Sequence, residues 1–172
     1  MMLLIDREDF ATYNRAISQS EYNKGNLNQY ILDAQFVDLK GLLGSEFYED
    51  IIRNSTSEMY NDLIDGSVYE YKGKTYTNYG LKSVLVYYSY ARYVLNSANV
   101  DTPFGMVQKN NVNSTATSYQ EKKSIFKMNQ QIGYEYFKTV FDFLERNSKD
   151  FPLWKDDCQY SKTNTFRISK IG

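Results

Sequence analysis

The sequence contains no histidine and a single cysteine, Cys158. Histidine is the commonest general base and a frequent metal ligand, so its absence excludes nucleophiles activated by histidine and histidine-based metal centres. One cysteine excludes an intrachain disulfide and a cysteine-based zinc site. We interpret Cys158 as a free thiol in a reducing compartment. No catalytic residue, metal or cofactor is therefore expected.

Long apolar runs and an excess of one charge are also missing. The opening residues, MMLLIDREDF, hold too few apolar side chains before Asp6 for a signal peptide, and no stretch approaches the ~18 apolar residues of a membrane helix. The net charge is −1, so there is no global positive excess to hold nucleic acid. A hydrophobic fraction of 42% is typical of a globular protein.

A second route to catalysis would be paired carboxylates, which occur at Glu46, Glu49 and Asp50. Acid–base work needs such groups in a cleft, whereas a solvated helix face accounts for the same spacing. Gly41 and Gly44 follow a predicted helix and lack the lysine of a phosphate-binding loop. The sequence predicts that the protein is not an enzyme.

Tyrosine is abundant, with 17 residues. Its apolar ring and polar hydroxyl suit half-wet interfaces, although the compositional bias of an AT-rich coding sequence would give the same enrichment. Tyr87, Tyr88, Tyr90 and Tyr93 lie in one apolar segment and would point around a single helix. That arrangement favours packing over a base-stacking platform.

The predicted fold is mainly α: a bundle of about four to five helices with a small β-hairpin and an extended C-terminal tail. Residues 5–22 favour either a short helix or an extended docking arm. From Leu27 onward, apolar residues recur at spacings of three and four until Gly41 and Gly44 interrupt the pattern; they are Leu27, Tyr30, Ile31, Ala34 and Val37. Ser45 is a candidate cap for the next helix.

Further along the chain, a short helix is predicted at 58–64 and a hairpin at 67–78, with Lys72 and Gly73 in its turn. Residues 79–98 form the most apolar predicted helix, which should be central or at an interface. Asn113 or Ser114 is the predicted cap of a long helix that runs to about Asn147. Its predicted solvent-facing side carries Glu121, Lys122, Lys123 and Lys127.

Two segments resemble partner-binding surfaces. Residues 101–111, DTPFGMVQKNN, contain turn formers and are predicted to be a loop. The tip of this loop is nevertheless apolar, and an exposed apolar patch marks a partner site. Residues 148–172 change character. Phe166 and Ile168 alternate with Arg167 as in a half-buried strand, and Lys170 and Ile171 extend this segment. We therefore divide the chain into a helical domain, 1–150, and a docking tail, 151–172.

A lone strand can add to the sheet edge of another chain. The predicted partner-binding residues are therefore Pro103, Phe104, Gly105, Met106, Val107 and Lys109 in the loop, with Phe166, Ile168 and Ile171 in the tail. The alternative is that the loop folds onto its own bundle and the tail pairs with the 67–78 hairpin.

Three motifs in residues 25–145 resemble the head–tail connector proteins of tailed phages. They are LDAQFVDLKGLLGSEFYEDII, GLKSVLVYYSYARYVLNS and TPFGMVQKN. The likeness is nearest to small connector or ring proteins of crAss-like phages and related prophages of gut Bacteroidales. The matching residues are Leu42, Leu43, Gly44 and Phe47, then Ala91 to Leu95, then Thr102, Pro103, Phe104, Gly105 and Lys109.

The resemblance implies a helical structural subunit that assembles, usually twelve to a ring, beneath the portal protein in the virion neck. Such a ring is assembled in the host cytoplasm, extends the DNA channel and binds tail or further neck proteins, with DNA only as channel cargo and no membrane. The N-terminal segment and the tail are not covered by the resemblance. The alternative function is a helical protein-binding or regulatory module of a bacterial host.

Overall fold

The computed structural model describes residues 2–15, 17–18, 26–96, 99–102, 105–108 and 117–154. The α-helices are α1 (Arg7–Thr12), α2 (Asn26–Asp33), α3 (Lys40–Leu43), α4 (Ser45–Arg53), α5 (Asn61–Ile64), α6 (Gly80–Asn96) and α7 (Tyr119–Arg146). A π-helix, Ala34–Leu39, joins α2 to α3, and a 3₁₀ turn, Glu58–Tyr60, precedes α5. The strands are β1 (Ser67–Tyr71), β2 (Lys74–Asn78), β3 (Asn99–Thr102) and β4 (Gly105–Gln108). The mainly α fold class is confirmed.

Helices α6 and α7 form the antiparallel centre of the fold. A Cβ atom added at Gly133 would lie 3.1 Å from the ring of Tyr88, so the two helices approach closely there. Tyr87 stacks on Tyr136 with ring centroids 5.1 Å apart. Tyr87 and Tyr88 are buried, which bears out packing rather than an exposed stacking platform.

The N-terminal segment packs on this centre as a short helix rather than as an extended arm. Asp6 caps α1 by accepting hydrogen bonds from the backbone N–H groups of Glu8 and Asp9, and Phe10 is buried. The buried side chain of Gln35 accepts a hydrogen bond from the Leu4 backbone N–H at 2.8 Å. Residues before α2 therefore contribute directly to the core.

The π-helix keeps one face of the chain turned toward the core. Leu27, Ile31, Gln35, Leu39 and Leu43 are all buried and follow each other at intervals of four residues. In a regular α-helix each four-residue step drifts by about 40° around the axis, whereas the wider π turn, with i→i+5 hydrogen bonds, offsets that drift.

The same wide turn places Val37 outside, with 60% of its surface exposed. The prediction that Val37 belongs to the apolar stripe is therefore wrong, because a constant helical period was assumed. The predicted cap at Ser45 is also wrong: Gly44 occupies the N-cap position of α4, and Ser45 is the first helical residue.

The predicted hairpin at 67–78 is confirmed as β1 and β2, antiparallel with Tyr71 paired to Lys74. Lys72 and Gly73 both have positive φ, 50° and 72°, as expected for the two central residues of a type I′ turn. The hairpin packs against α7 through Arg146, whose guanidinium carbon lies 3.8 Å from the ring centroid of Tyr76.

Helix α7 begins later than predicted. Its N-cap is Ser118, which forms a reciprocal capping box with Glu121, so the proposed caps Asn113 and Ser114 are wrong. Lys122 is 2% exposed, not on a solvent-facing side. The predicted end near Asn147 is confirmed, since Asn147 is the C-cap.

The packed part of the chain continues past α7. Phe151 and Trp154 are both buried, and each lies within about 6 Å of the Phe47 ring, with centroid distances of 6.0 and 5.9 Å. These two residues fall within the predicted tail, 151–172, yet they belong to the hydrophobic core.

Candidate partner interface

The predicted loop at 101–111 contains a second hairpin, formed by β3 and β4. Val100 pairs with Val107, and Asp101 pairs with Met106, in antiparallel register. The last pair, Thr102 with Gly105, brackets the two-residue connection. The prediction of a loop is therefore wrong at the strand residues 101–102 and 105–108, because strands of only four residues leave little alternation in the sequence.

The register separates the hairpin residues into two faces, because alternate residues of a strand lie on opposite sides. Val100, Val107, Thr102 and Gly105 share one face. The pairs of Asn99 with Gln108 and of Asp101 with Met106 lie on the other. The two valines therefore occupy paired positions in the register.

This β3–β4 hairpin follows the end of α6 at Asn96 and precedes the start of α7 at Tyr119. Tyr88, which lies against Gly133, is eight residues before Asn96, whereas Gly133 is fourteen residues after Tyr119. Helix α7 thus begins about six residues, or about 9 Å, beyond the end of α6. Among the described elements, β3 and β4 make extensive contact only with each other.

Of the predicted partner-binding residues, the structure brings Gly105, Met106 and Val107 together in β4. Pro103, Phe104 and Lys109 lie outside the described residues, and so do Phe166, Ile168 and Ile171.

Sequence reasoning missed an exposed apolar pair on the π-helix. Phe36 is 56% exposed and Val37 is 60% exposed, and the ammonium group of Lys40 lies 5.1 Å from the Phe36 ring centroid. The signal that could have found them is the strict four-residue spacing of the buried residues on either side, which leaves both positions pointing outward.

A polar cluster joins the π-helix to α6 and α7. Nη2 of Arg92 lies 2.9 Å from Oδ2 of Asp38, and each side chain is 16% exposed. The contact between Arg92 and Asp38 is an ion pair without good hydrogen-bond geometry. The buried Nε2 of Gln130 faces the same carboxylate and makes no aligned hydrogen bond either. Burial raises the pKa of Asp38 to about 6, although Arg92 and Gln130 lower it.

In the described ranges, no group of three or more His, Cys, Asp or Glu side chains is arranged to hold a metal ion. No described helix is long and apolar enough to cross a membrane.

A family model matches residues 39–164, which is well over half of the chain. The chain belongs to this family, described as a family of unknown function (DUF6712). The matched range contains both hairpins and helices α6 and α7, whereas α1, α2 and most of the π-helix precede it. No curated protein and no solved structure matches the chain.

Proposed function

We propose that this DUF6712 protein is a non-enzymatic structural subunit of a head–tail connector ring in the virion neck, joining the portal to tail proteins and extending the DNA channel. The observation that carries this proposal is the β3–β4 hairpin, which contains the Thr102–Gly105 part of the connector-like motif and makes extensive contact only with itself among the described elements.

An isolated two-stranded hairpin is marginal in water, and it needs packing against another element to be stable. In the β3–β4 hairpin, the two valines, Val100 and Val107, occupy paired positions. A neighbouring subunit would supply the missing contact. In a ring, each subunit gives one surface and receives a different one, so the receiving surface need not resemble the hairpin.

The proposal is tested by replacing Phe104 with Asp and measuring assembly by mass photometry, with and without the portal protein of the same genome. We expect the charge to remove the oligomer or the portal complex while leaving the melting temperature nearly unchanged. Met59→Asp is the matched control, because Met59 is 48% exposed on the 3₁₀ turn, remote in sequence from the hairpin.

A large loss of melting temperature with normal assembly would contradict the proposal, since Phe104 would then be a core residue. Wild-type protein that stays monomeric at every concentration and with the portal protein would contradict it too.

A further inference from the structure

The outer edge of β1 presents backbone groups that pair with no described strand. The turn is two residues long, so Tyr71 and Lys74 form a hydrogen-bonded pair and the pair types alternate from there. Val68 and Glu70 therefore fall at non-hydrogen-bonded positions, and their N–H and C=O groups point away from β2. The described residues contain no third strand in this sheet.

The two edges of this hairpin differ in their protection. Strand β2 is the one that makes the larger contact with α7. Strand β1 contains no proline or lysine, which are the residues that commonly block an exposed edge. Val68 is 68% exposed. The β1 edge is therefore the better acceptor of an incoming strand.

The two faces of β1 also differ. Tyr69 faces α7, with its ring centroid 5.1 Å from that of Phe143, and Tyr71 lies on the same side, 5.7 Å from the guanidinium of Arg146. Val68 and Glu70 lie on the exposed side. A strand that fits this edge needs apolar residues on the inner side and a residue compatible with Glu70 on the outer side.

Within residues 164–171, NTFRISKI, the stretch 165–169 has that pattern in sequence, and the alternation ends at Lys170. In a strand, Phe166 and Ile168 would lie on one side and Arg167 on the other. With Phe166 and Ile168 beside Tyr69 and Tyr71, Arg167 falls on the side of Glu70, where opposite charges on neighbouring strands attract.

The contacts of α7 help to decide whether residues 164–171 reach β1 from the same chain or from a second copy of it. The β1–β2 hairpin contacts α7 at Phe143 and Arg146, whereas Trp154, the last described residue, contacts it at Phe141 and Glu145. At 100° per residue, these two sets of positions are about 150° apart around the helix. The exposed residues Lys138 and Asp142 lie between them.

The nine residues that separate Trp154 from Asn164 are long enough to return to the β1 edge of the same chain, since they span up to about 30 Å when extended. That path, however, crosses the exposed face of α7 that carries the charged side chains of Lys138 and Asp142, which offers no apolar surface to an extended segment. A neighbouring copy needs no such detour. We propose that β1 receives residues 164–171 of a second copy of this chain as a third strand. The proposal rests on the connector function, since it names the partner of the tail within the assembly.

Disulfide trapping tests the pairing. In a Cys158→Ser background, Val68→Cys is combined in turn with Thr165→Cys, Arg167→Cys and Ser169→Cys. These tail positions share the outer face with Val68 under the proposal. Because the backbone groups of Val68 point toward the incoming strand, the directly opposed residue would form a hydrogen-bonded pair with it in an antiparallel ladder, with the Cα atoms about 5.5 Å apart, which is within the range of a disulfide. We expect one combination to give a disulfide-linked species between chains.

Thr77→Cys with the same tail positions is the matched control. Thr77 pairs with Val68 on the same face, but it lies one strand further from the incoming segment, by about 4.8 Å. Cross-linking within one chain would overturn the proposal, because the strand would then complete its own sheet. Equal trapping at Thr77 and Val68, or no trapping in assembled protein, would overturn it as well.

Charge exchange gives an independent readout. Glu70 is exposed, so Glu70→Lys should weaken self-association roughly threefold, in line with a surface ion pair, without changing the melting temperature. Adding Arg167→Glu to the same chain should restore the association. Failure of that rescue would contradict the proposed register. If rings form normally but no disulfide is trapped, the strand pairing is contradicted and the connector function is not. Protein that never assembles would contradict both the strand pairing and the connector function.

Discussion

Asp38 shows most clearly how burial changes the chemistry of one residue in this protein. Burial raises its pKa to about 6 from an ordinary value of 3.8, against the attraction of Arg92. The negative charge of Asp33 adds to the rise. Between about pH 4 and pH 6 the folded protein therefore binds more protons at this position than the unfolded chain does. The contribution of Asp38 to the free energy of unfolding falls as the pH rises through that window.

We expect this contribution to amount to about 3 kcal/mol across the window, from the shift of about two pKa units. Urea denaturation at a series of pH values, compared between the wild type and Asp38→Asn, measures it. The variant should lose this part of the pH dependence and gain stability relative to the wild type as the pH rises. Asp62→Asn, at an exposed position, is the matched control, and parallel curves for Asp38→Asn and the wild type would refute the assignment.

At the scale of elements, one cation, Arg146, joins the β1–β2 hairpin to α7. Nη1 of Arg146 donates a hydrogen bond of 2.8 Å to Oη of Tyr69 while its guanidinium covers the Tyr76 ring. Tyr69 and Tyr76 themselves stack with centroids 5.8 Å apart. The planar guanidinium therefore fixes the hairpin on the end of α7, since stacking and a hydrogen bond act on the same group.

We expect Arg146→Lys to loosen the hairpin even though the charge is kept, because a lysine ammonium cannot provide the planar stacking. The loss should be about 1–2 kcal/mol, from one cation–π contact and one hydrogen bond. Amide hydrogen exchange should accelerate in residues 67–78 and stay unchanged in α6. Lys138→Ala, on the exposed surface of the same helix, is the control; uniform acceleration throughout α6 and the hairpin would contradict the expectation.

Local signals made some of these elements predictable from the sequence. The β1–β2 hairpin is predictable because its turn pair, Lys72–Gly73, and the strand-favouring tyrosines on either side both indicate a hairpin. The end of α7 is predictable because its apolar stripe stops near Asn147. The π-helix is not, since its wide turn is stabilised by tertiary contacts such as those of Gln35 and Asp38.

For the candidate interface, the sequence predicts Gly105, Met106 and Val107 as part of a loop, whereas the structure places them in β4, paired with β3. The exposed pair on the π-helix and the burial of Lys122 also depend on how elements meet in three dimensions, which one sequence does not state. The partner-binding role of these residues remains a prediction.

For the whole molecule, the boundary of the packed unit lies further along the chain than composition indicates. Phe151 stacks on Tyr60 with centroids 6.1 Å apart. Trp154 donates a hydrogen bond from Nε1 to Oε1 of Glu145. Buried aromatic residues are among the largest contributors to a core.

We expect a chain that ends at Trp154 to keep the melting temperature of the full-length protein, and a chain that ends at Asp150 to lose several kcal/mol of stability. Removing one buried aromatic side chain typically costs about 3–5 kcal/mol. Thermal and urea denaturation of both truncations measure the difference. Equal stability of the two would show that Phe151 and Trp154 do not contribute to the core energetically.

The wide turn at Ala34–Leu39 holds one residue more than a regular α-helix needs to keep the same face turned to the core. Loss of one codon at Phe36 or Val37 would remove an outward side chain and let the segment close into an ordinary α-helix. Five residues of α-helix turn through about 500°, close to the rotation of six residues in the wider coil. Leu27 and Ile31 would therefore still face the core, and natural variants that lack this one residue should keep the fold.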